Sequence, residues 1–152
     1  MEISAFIAKW LGIRGGAERA NYSQFINDMC HALALPEPGV AEEGLLGDYQ
    51  FEGPVPGAGV SGGVARIDLY KRGCFILEAK QSKLSEADKN QSELFDPAPS
   101  APAAPSGARY DRLMRDALAQ ARNYAVNLPS AHPWPPFLIV CDVGRAFELY
   151  FD

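Results

Sequence analysis

One β-hairpin signature constrains the fold of this chain more than any other feature. Two runs rich in β-branched and aromatic residues, 64–70 and 74–80, are joined by the short basic segment 71–73, which ends in glycine. This arrangement is typical of two antiparallel strands and their turn. Because side chains alternate between the faces of a strand, Glu78 and Lys80 project from one face of the second run. The sequence therefore predicts an otherwise apolar strand that carries an acid and a lysine near its end.

The first strand of the hairpin supplies a second acid. Regular alternation predicts one face made of four residues, Val64, Arg66, Asp68 and Tyr70. A hairpin can bring Asp68 beside Glu78 and Lys80. Buried charges are unfavourable unless they are paired or bound to a metal, and carboxylates suit Mg²⁺. The sequence leaves two interpretations open, a magnesium site and an ordinary salt bridge at the rim of the sheet.

The remaining elements complete an α-α-β-β-β-α-β-β order. Helical spacing of apolar residues predicts helices over 2–12, 17–35 and 109–128. Further strands are predicted over 48–52, 137–142 and 145–151, and a loop over 53–63. The Pro- and Ser-containing stretch within 82–108 predicts a mobile, variable insertion. This order favours an α/β fold with helices flanking a mixed central sheet.

Composition bounds the class of protein. A chain of 152 residues with 47% hydrophobic residues suggests a single domain, 1–152, with one core. The net charge of −5 excludes a generally basic nucleic-acid binder, so a DNA site must be local. The three cysteines lie in apolar stretches without zinc-ligand spacing, which predicts buried free thiols. Without a signal-like start or a membrane-length apolar run, we expect a cytoplasmic protein.

Three motifs together resemble a known nuclease superfamily. They are G-x-x-x-x-D over 63–68, Glu78-Ala79-Lys80, and Gln120-x-x-x-Tyr124 on the third helix. This set resembles the RecB-like branch of the PD-(D/E)xK nucleases. Longer stretches resemble the N-terminal part of MmeI-type (type IIL) restriction–modification enzymes, namely ERANYSQFINDMC, VARIDLYKRGCFILEAKQ, QARNYAVNLP and WPPFLIVCDVGRAFELY. The resemblance covers nearly the whole chain, and 82–108 is its weak part.

The resemblance implies a restriction-endonuclease-like fold and Mg²⁺-dependent cleavage of double-stranded DNA, with Mn²⁺ as a possible substitute. Asp68 and Glu78 would hold the metal with the Ala79 carbonyl and Glu18, and Lys80 would serve the attacking water. The catalytic set implied is Asp68, Glu78, Lys80, Gln120 and Tyr124. Residues implied or suggested to meet DNA are Gln81, Lys71, Arg72, Arg115 and Arg122, although a solvated helix face also explains the arginines.

The enzymes it resembles are bacterial cytoplasmic proteins in which the nuclease precedes a methyltransferase and a target-recognition domain. This chain has no NPPY motif and no glycine-rich loop for S-adenosylmethionine, so that cofactor is expected only in a full-length enzyme. We therefore expect the chain to be one module of a larger enzyme, with those domains as partners in the parent chain. One site per chain leads us to expect a homodimer for double-strand cleavage.

Two other functions stay open at this point. The same fold can serve as a non-catalytic module for DNA docking or assembly within a DNA methyltransferase. It can also serve as a stand-alone RecB-like nuclease acting on DNA ends, although the net charge of −5 argues against strong autonomous DNA binding. Convergence of Asp68, Glu78 and Lys80 distinguishes the catalytic readings from the docking module, and a basic groove within this chain would favour the stand-alone nuclease.

Overall fold

The computed structural model describes residues 1–13, 18–82 and 107–151. The predicted insertion at 82–108 therefore lies almost wholly outside the described residues, apart from Ser82, Gly107 and Ala108. Within the described part, no helix is long and apolar enough to cross a membrane.

A five-stranded mixed sheet forms the centre of the described structure. Its strands follow the chain order β1-β2-β3-β4-β5 across the sheet. The strands are β1 (Tyr49–Pro56), β2 (Val64–Lys71), β3 (Phe75–Lys80), β4 (Phe137–Asp142) and β5 (Ala146–Phe151). β3 and β4 are parallel, and the other neighbouring pairs are antiparallel. The predicted mixed sheet is confirmed.

Helices cover both faces of this sheet. They are α1 (Ile3–Leu11), α2 (Glu18–Leu33) and α3 (Ala108–Val126). α3 lies in the crossover between the parallel strands β3 and β4, where an α-helix is the usual connection. Its buried side packs against Ile76, Leu138 and Val140. The α/β class is confirmed, and the arrangement is consistent with a restriction-endonuclease-like fold.

The opposite face of the sheet is covered by α1 and α2. Trp10 and Phe25 from these helices pack against Leu77, Ala79 and Cys141 of the sheet. Trp10 also donates its indole N–H to the Asp28 carboxylate at 2.9 Å, which fastens α1 to α2. The sheet is therefore buried on two sides around β3, as expected for a strand with parallel pairing.

The first strand differs most from its prediction. A strand over 48–52 and a loop over 53–63 were expected, but β1 continues to Pro56. Prolines remove backbone donors and usually interrupt strands, which is why the sequence suggests a loop there. β1 is the end strand of the described sheet, and apart from an isolated bridge between Gln50 and Gly39 only its side facing β2 is paired, so its prolines are tolerated. The other elements begin and end within a residue or two of their predicted bounds.

Candidate active site

The charged pair on β3 lies where the alternation predicted it. Glu78 is 2% exposed on the face covered by α3, between strands β2 and β4. The Lys80 ammonium lies 2.7 Å from the Glu78 carboxylate, and the lysine side chain is 16% exposed. A buried carboxylate is costly unless a cation and hydrogen bonds compensate its charge. Lys80 supplies such a cation at the end of the strand.

Asp68 is fixed to the same strand through the backbone. The ladder between β2 and β3 runs from Lys71 opposite Phe75 to Leu69 opposite Leu77. Directly beyond it, the Asp68 carboxylate accepts the backbone N–H of Ala79 at 2.7 Å. Hydrogen bonds to a carboxylate are about twice as strong as neutral ones. The bond holds Asp68 beside the segment that carries Glu78 and Lys80.

The faces of β2 do not follow the regular alternation expected from the sequence. Ile67 and Tyr70 both belong to the core under α3, whereas Leu69 belongs to the core under α1 and α2. The predicted face of Val64, Arg66, Asp68 and Tyr70 is therefore wrong, because the alternation changes phase at Asp68. Asp68 is half-buried at this irregular position.

The same break occurs on the neighbouring strand, at Glu52. Phe51 packs under α1 and α2, but Val55 packs under α3. Flanking pairs in the β1–β2 register place Glu52 directly opposite Asp68. Glu52 has a φ of 53°, in the left-handed region, which costs a residue with a Cβ about 1–2 kcal/mol. The alternation of side chains therefore changes phase in both strands at the positions of Glu52 and Asp68.

Two buried tyrosines flank the acidic residues. Tyr22 on α2 donates its hydroxyl to the Glu52 carboxylate. Burial raises the pKa of Tyr22 well above its ordinary value, and the bond to Glu52 and the charges of Asp68 and Glu78 raise it further. Burial and the Glu78 charge likewise raise the pKa of Tyr124 to about 12. The charges of Asp68 and Glu78 therefore act on both tyrosines, one on each side of the sheet, in addition to the larger effect of burial.

Gln120 and Tyr124 lie together on one face of α3, as their spacing predicted. The Gln120 side-chain amide donates to the Tyr124 hydroxyl at 2.6 Å. This bond lowers the Tyr124 pKa, against the larger effects of burial and Glu78. The pair therefore presents polar groups from α3 to the acidic side of the sheet.

The end of β3 is secured on both sides. Asp142, the neighbour of Lys80 in the parallel register, accepts the Ser82 backbone N–H at 2.8 Å and its hydroxyl at 2.6 Å. Gln81 is buried and accepts a hydrogen bond from Asn21 of α2 at 3.2 Å. Glu18 is the first residue of α2, and the structure describes only its backbone.

The basic residues proposed to meet DNA are spread over the fold. Lys71 lies 5.0 Å from the Tyr49 ring centre, and Arg72 binds Asp48 and the Ala131 carbonyl. Both lie at the turn of the hairpin, about 17 Å along β3 from Lys80 at 3.3 Å per residue. Arg115 and Arg122 are exposed on α3. The structure does not gather these four side chains around the acids.

Glu52 and Tyr22 are the site residues that the sequence reasoning missed. Neither belongs to a recognised spacing, and the expected strand ended at residue 52. Only the longer β1–β2 ladder shows that Glu52 lies opposite Asp68. Predicting that β1 pairs with β2 beyond residue 52 would have identified Glu52 as a neighbour of Asp68.

The donor set at this site fits a hard divalent cation. Asp68 and Glu78 contribute carboxylates, and the Ala79 carbonyl is a further oxygen. Mg²⁺ commonly takes only one or two carboxylates and keeps waters and phosphate oxygens in its other positions. Among the side chains that the structure describes, which do not include that of Glu18, no group of three His, Cys, Asp or Glu is placed to hold a metal.

Comparison with known proteins identifies the family. The sequence profile described as "MmeI, N-terminal domain" matches residues 1–152. Neither the comparison with curated proteins nor that with solved structures finds a match. Because the profile spans the whole chain, the protein belongs to the MmeI N-terminal domain family, whose members are modules of restriction–modification enzymes.

Proposed function

We propose that this chain is a metal-dependent DNA endonuclease domain of the PD-(D/E)xK type, the cleavage module of a restriction–modification enzyme. Family membership supports the restriction–modification context. The observation that carries the chemistry is the Asp68–Ala79 hydrogen bond of 2.7 Å. It fixes one carboxylate beside a strand that also carries Glu78 and Lys80, so an acid, a second acid and a lysine lie together.

The metal would be held by Asp68, Glu78 and the Ala79 carbonyl, with Glu18 as an additional acid. When bound, Mg²⁺ would supply charge neutralisation at the scissile phosphate and a lowered pKa for the attacking water. Burial of Glu78 limits competition from bulk water, and the Asp68–Ala79 bond limits movement of the other carboxylate. Oxygen donors held in this way would be preorganised, and preorganised charge is the condition for electrostatic stabilisation of a transition state.

Lys80 would orient the attacking water and stabilise negative charge on the phosphate. The water oxygen would form a bond to phosphorus and release one proton to solvent, the bond from phosphorus to the 3′-oxygen would break, and the 3′-oxygen would take up one proton from solvent. The products are 5′-phosphate and 3′-hydroxyl ends. Gln120 and Tyr124 would contact the water molecules of the site or the DNA backbone from α3.

Double-stranded DNA is the proposed substrate, with Gln81, Lys71, Arg72, Arg115 and Arg122 as proposed contacts. Because the basic side chains are dispersed, we expect this module alone to bind DNA weakly. Most of the DNA affinity would come from the methyltransferase and recognition domains of a parent chain, where S-adenosylmethionine would also bind. Cleavage of both strands would require two copies of the site.

A nicking assay on supercoiled plasmid tests the proposal. The 152-residue chain, Lys80→Ala and Glu78→Gln are compared in Mg²⁺ and in Mn²⁺, with Glu42→Gln as an exposed control acid. We expect nicking by the wild type and by Glu42→Gln, and loss of nicking in the other two. Equal nicking by the wild type and Lys80→Ala would remove Lys80 from the mechanism.

Metal binding is measured separately, because weak DNA affinity by itself can hide activity. Calorimetric titration with Mn²⁺ is expected to show one or two sites in the wild type and in Lys80→Ala. Asp68→Asn and Glu78→Gln are expected to weaken that binding by about tenfold or more, equivalent to about 1.4 kcal/mol. Absence of Mn²⁺ binding by the wild type at millimolar concentration would contradict the metal site and favour the docking-module alternative.

A further inference from the structure

The last strand exposes an apolar strip. β5 is the end strand of the sheet that the structure describes, so one of its sides has no neighbouring strand there. Phe147, Leu149 and Phe151 share the face covered elsewhere by α1 and α2, and they are 40%, 64% and 80% exposed. Edge strands that are apolar and unprotected are templates for pairing with another chain. This strip is consequently unusual for a surface that faces only water.

Two hollows adjoin the strip, and Phe147 lines both of them. One, of about 270 Å³, lies between β5 and the end of α2, where Met29, Leu35 and Leu149 line it. The other, of about 170 Å³, lies beside α1, where Ile7 and Leu11 line it. The exposed apolar surface therefore continues from the strand onto both helices.

We propose that β5 pairs antiparallel with β5 of a second copy of this chain, about a two-fold axis at Leu149. The two five-stranded sheets would then join into one continuous sheet. A two-fold axis perpendicular to the sheet keeps the same face of both copies on the same side. The two apolar strips therefore meet each other, and α3 of each copy stays on the opposite side.

The sequence of β5 is self-complementary in this register. Leu149 faces Leu149 of the second copy, and Phe147 faces Phe151. On the other face, Glu148 lies opposite Tyr150, whose hydroxyl already donates to Glu148 at 2.6 Å within one chain. A shift that centres the axis on Glu148 places two carboxylates opposite each other, which is unfavourable. Apolar matching and charge therefore select the same register.

The pairing also gives Phe151 a place to pack. In the proposed register, Phe151 of one copy lies beside Phe147 of the other, at the mouth of the hollow lined by Ile7 and Leu11. Phe151 already makes an edge-to-face contact with Phe137 on the neighbouring strand β4, with ring centres 5.1 Å apart. A second aromatic neighbour would cover the side of the ring that is now exposed.

The apolar area that the two strips can bury against each other is the size expected for a weak dimer. With about 200 Å² for a fully exposed aromatic side chain, the strip contributes roughly 350 Å² per copy, or about 700 Å² in total. That lies below the roughly 1,200 Å² of the smallest stable complexes, although the strand ladder and the hollows add to it. We expect association in the micromolar to hundred-micromolar range. This inference does not rest on nuclease activity.

Sedimentation of the 152-residue chain tests the interface. We expect a monomer–dimer equilibrium between about 10 and 500 µM, and a dimer at least about tenfold weaker in Leu149→Lys. Val126→Lys, an equally drastic change at an exposed position on α3, serves as the matched control and should leave the dimer intact. A wild-type monomer throughout this range, or a dimer that Leu149→Lys leaves unchanged, would overturn the proposal.

Disulfide trapping tests the register. Residues facing each other in an antiparallel pair have Cα atoms about 4.5–5.5 Å apart, which a disulfide can bridge. In a Cys74→Ala background, which removes the accessible native thiol, Leu149→Cys is therefore expected to form a covalent dimer under mild oxidation, whereas Phe147→Cys alone is not. A mixture of Phe147→Cys and Phe151→Cys chains should form the mixed dimer, and efficient self-crosslinking of Phe147→Cys would contradict this register.

Discussion

Glu52 and Asp68 both lie between the Phe51–Leu69 and Gly53–Ile67 pairs of the β1–β2 register, and Glu52 has a left-handed backbone there, with a φ of 53°. At these two residues, the alternation of side chains between the two hydrophobic cores changes phase in both strands. The carboxylates consequently occupy an irregular point of the ladder, where neither side chain is committed to one of the two cores. The geometry of the candidate site depends on a local break in the sheet as well as on the motif residues.

Glycine should be preferred over alanine at position 52. Both substitutions remove the hydrogen bond from Tyr22, but only glycine adopts positive φ without steric cost. We expect the free energy of unfolding of Glu52→Gly to be about 1 kcal/mol higher than that of Glu52→Ala. Urea denaturation of the two variants measures the difference. Equal stabilities would show that residue 52 does not keep the left-handed conformation in solution.

The Glu78–Lys80 pair should be strongly coupled. Lys80→Ala leaves a buried carboxylate without this cation and is expected to cost about 2 kcal/mol or more. The double variant Lys80→Ala/Glu78→Gln should lose less stability than the sum of the two single variants, because the negative charge of Glu78 is removed together with the lysine. A double-mutant cycle by denaturant unfolding measures this coupling. Additive effects would show that the pair is open in solution.

Asp28 should make folding sensitive to acid. Burial raises its pKa, but hydrogen bonds from Lys9, Gln24 and Trp10 lower it more, so the folded pKa lies below the ordinary 3.8. Its contribution is therefore complete above about pH 5 and is lost as pH falls through the folded pKa. The stability difference between wild type and Asp28→Asn should shrink as pH falls from 6 to about 3. A constant difference in chemical denaturation at these pH values would contradict the shift.

Thiol reactivity should separate the three cysteines. Cys141 is fully buried, and burial with the neighbouring Asp142 and Asp68 charges raises its pKa well above the ordinary value. Cys30 is also buried, whereas Cys74 is half-buried near the hairpin turn. Since the thiolate is the reactive form, we expect a thiol reagent to modify Cys74 first in the folded protein. Cys74→Ala should abolish this fast phase, and rapid modification of Cys141 would contradict the buried position.

Mg²⁺ should stabilise the folded chain if the proposed site binds it. A ligand at about ten times its Kd adds about 1.4 kcal/mol to the free energy of unfolding. Thermal unfolding with and without millimolar Mg²⁺ is expected to show a rise in Tm for the wild type, and a much smaller rise for Asp68→Asn. The exposed-acid variant Glu42→Gln is the control for non-specific ion effects. Equal shifts in all three proteins would assign the effect to general screening.

The element order and the β3 residues were predictable because their signals are local. Period-2 alternation over 74–80 fixed the faces of Glu78 and Lys80, and the structure agrees. The long apolar face of α3 and the continuous apolar run of β4 were equally clear. In each of these cases, the side-chain pattern follows the regular geometry of one element.

The structural features that could not be predicted from the sequence depend on pairing between strands. The prolines of β1 suggest a loop, and nothing local indicates that the strand continues to Pro56 as a partner of Val64. The phase change at Asp68 coincides with the left-handed backbone of Glu52 on the neighbouring strand. The hydrogen bond between Asp68 and Ala79 likewise joins residues eleven apart through a backbone group, which no side-chain pattern encodes.

The bond between Asp68 and the backbone of Ala79 separates two demands on the middle position of Glu78-Ala79-Lys80. Every amino acid except proline carries the N–H that Asp68 accepts, so the bond imposes no side-chain identity there. The requirement for a small residue comes instead from the opposite face, where Ala79 is buried against the core under α1 and α2. The size of residue 79 is therefore limited by the space beneath α1 and α2 and is independent of the hydrogen bond that its backbone donates to Asp68.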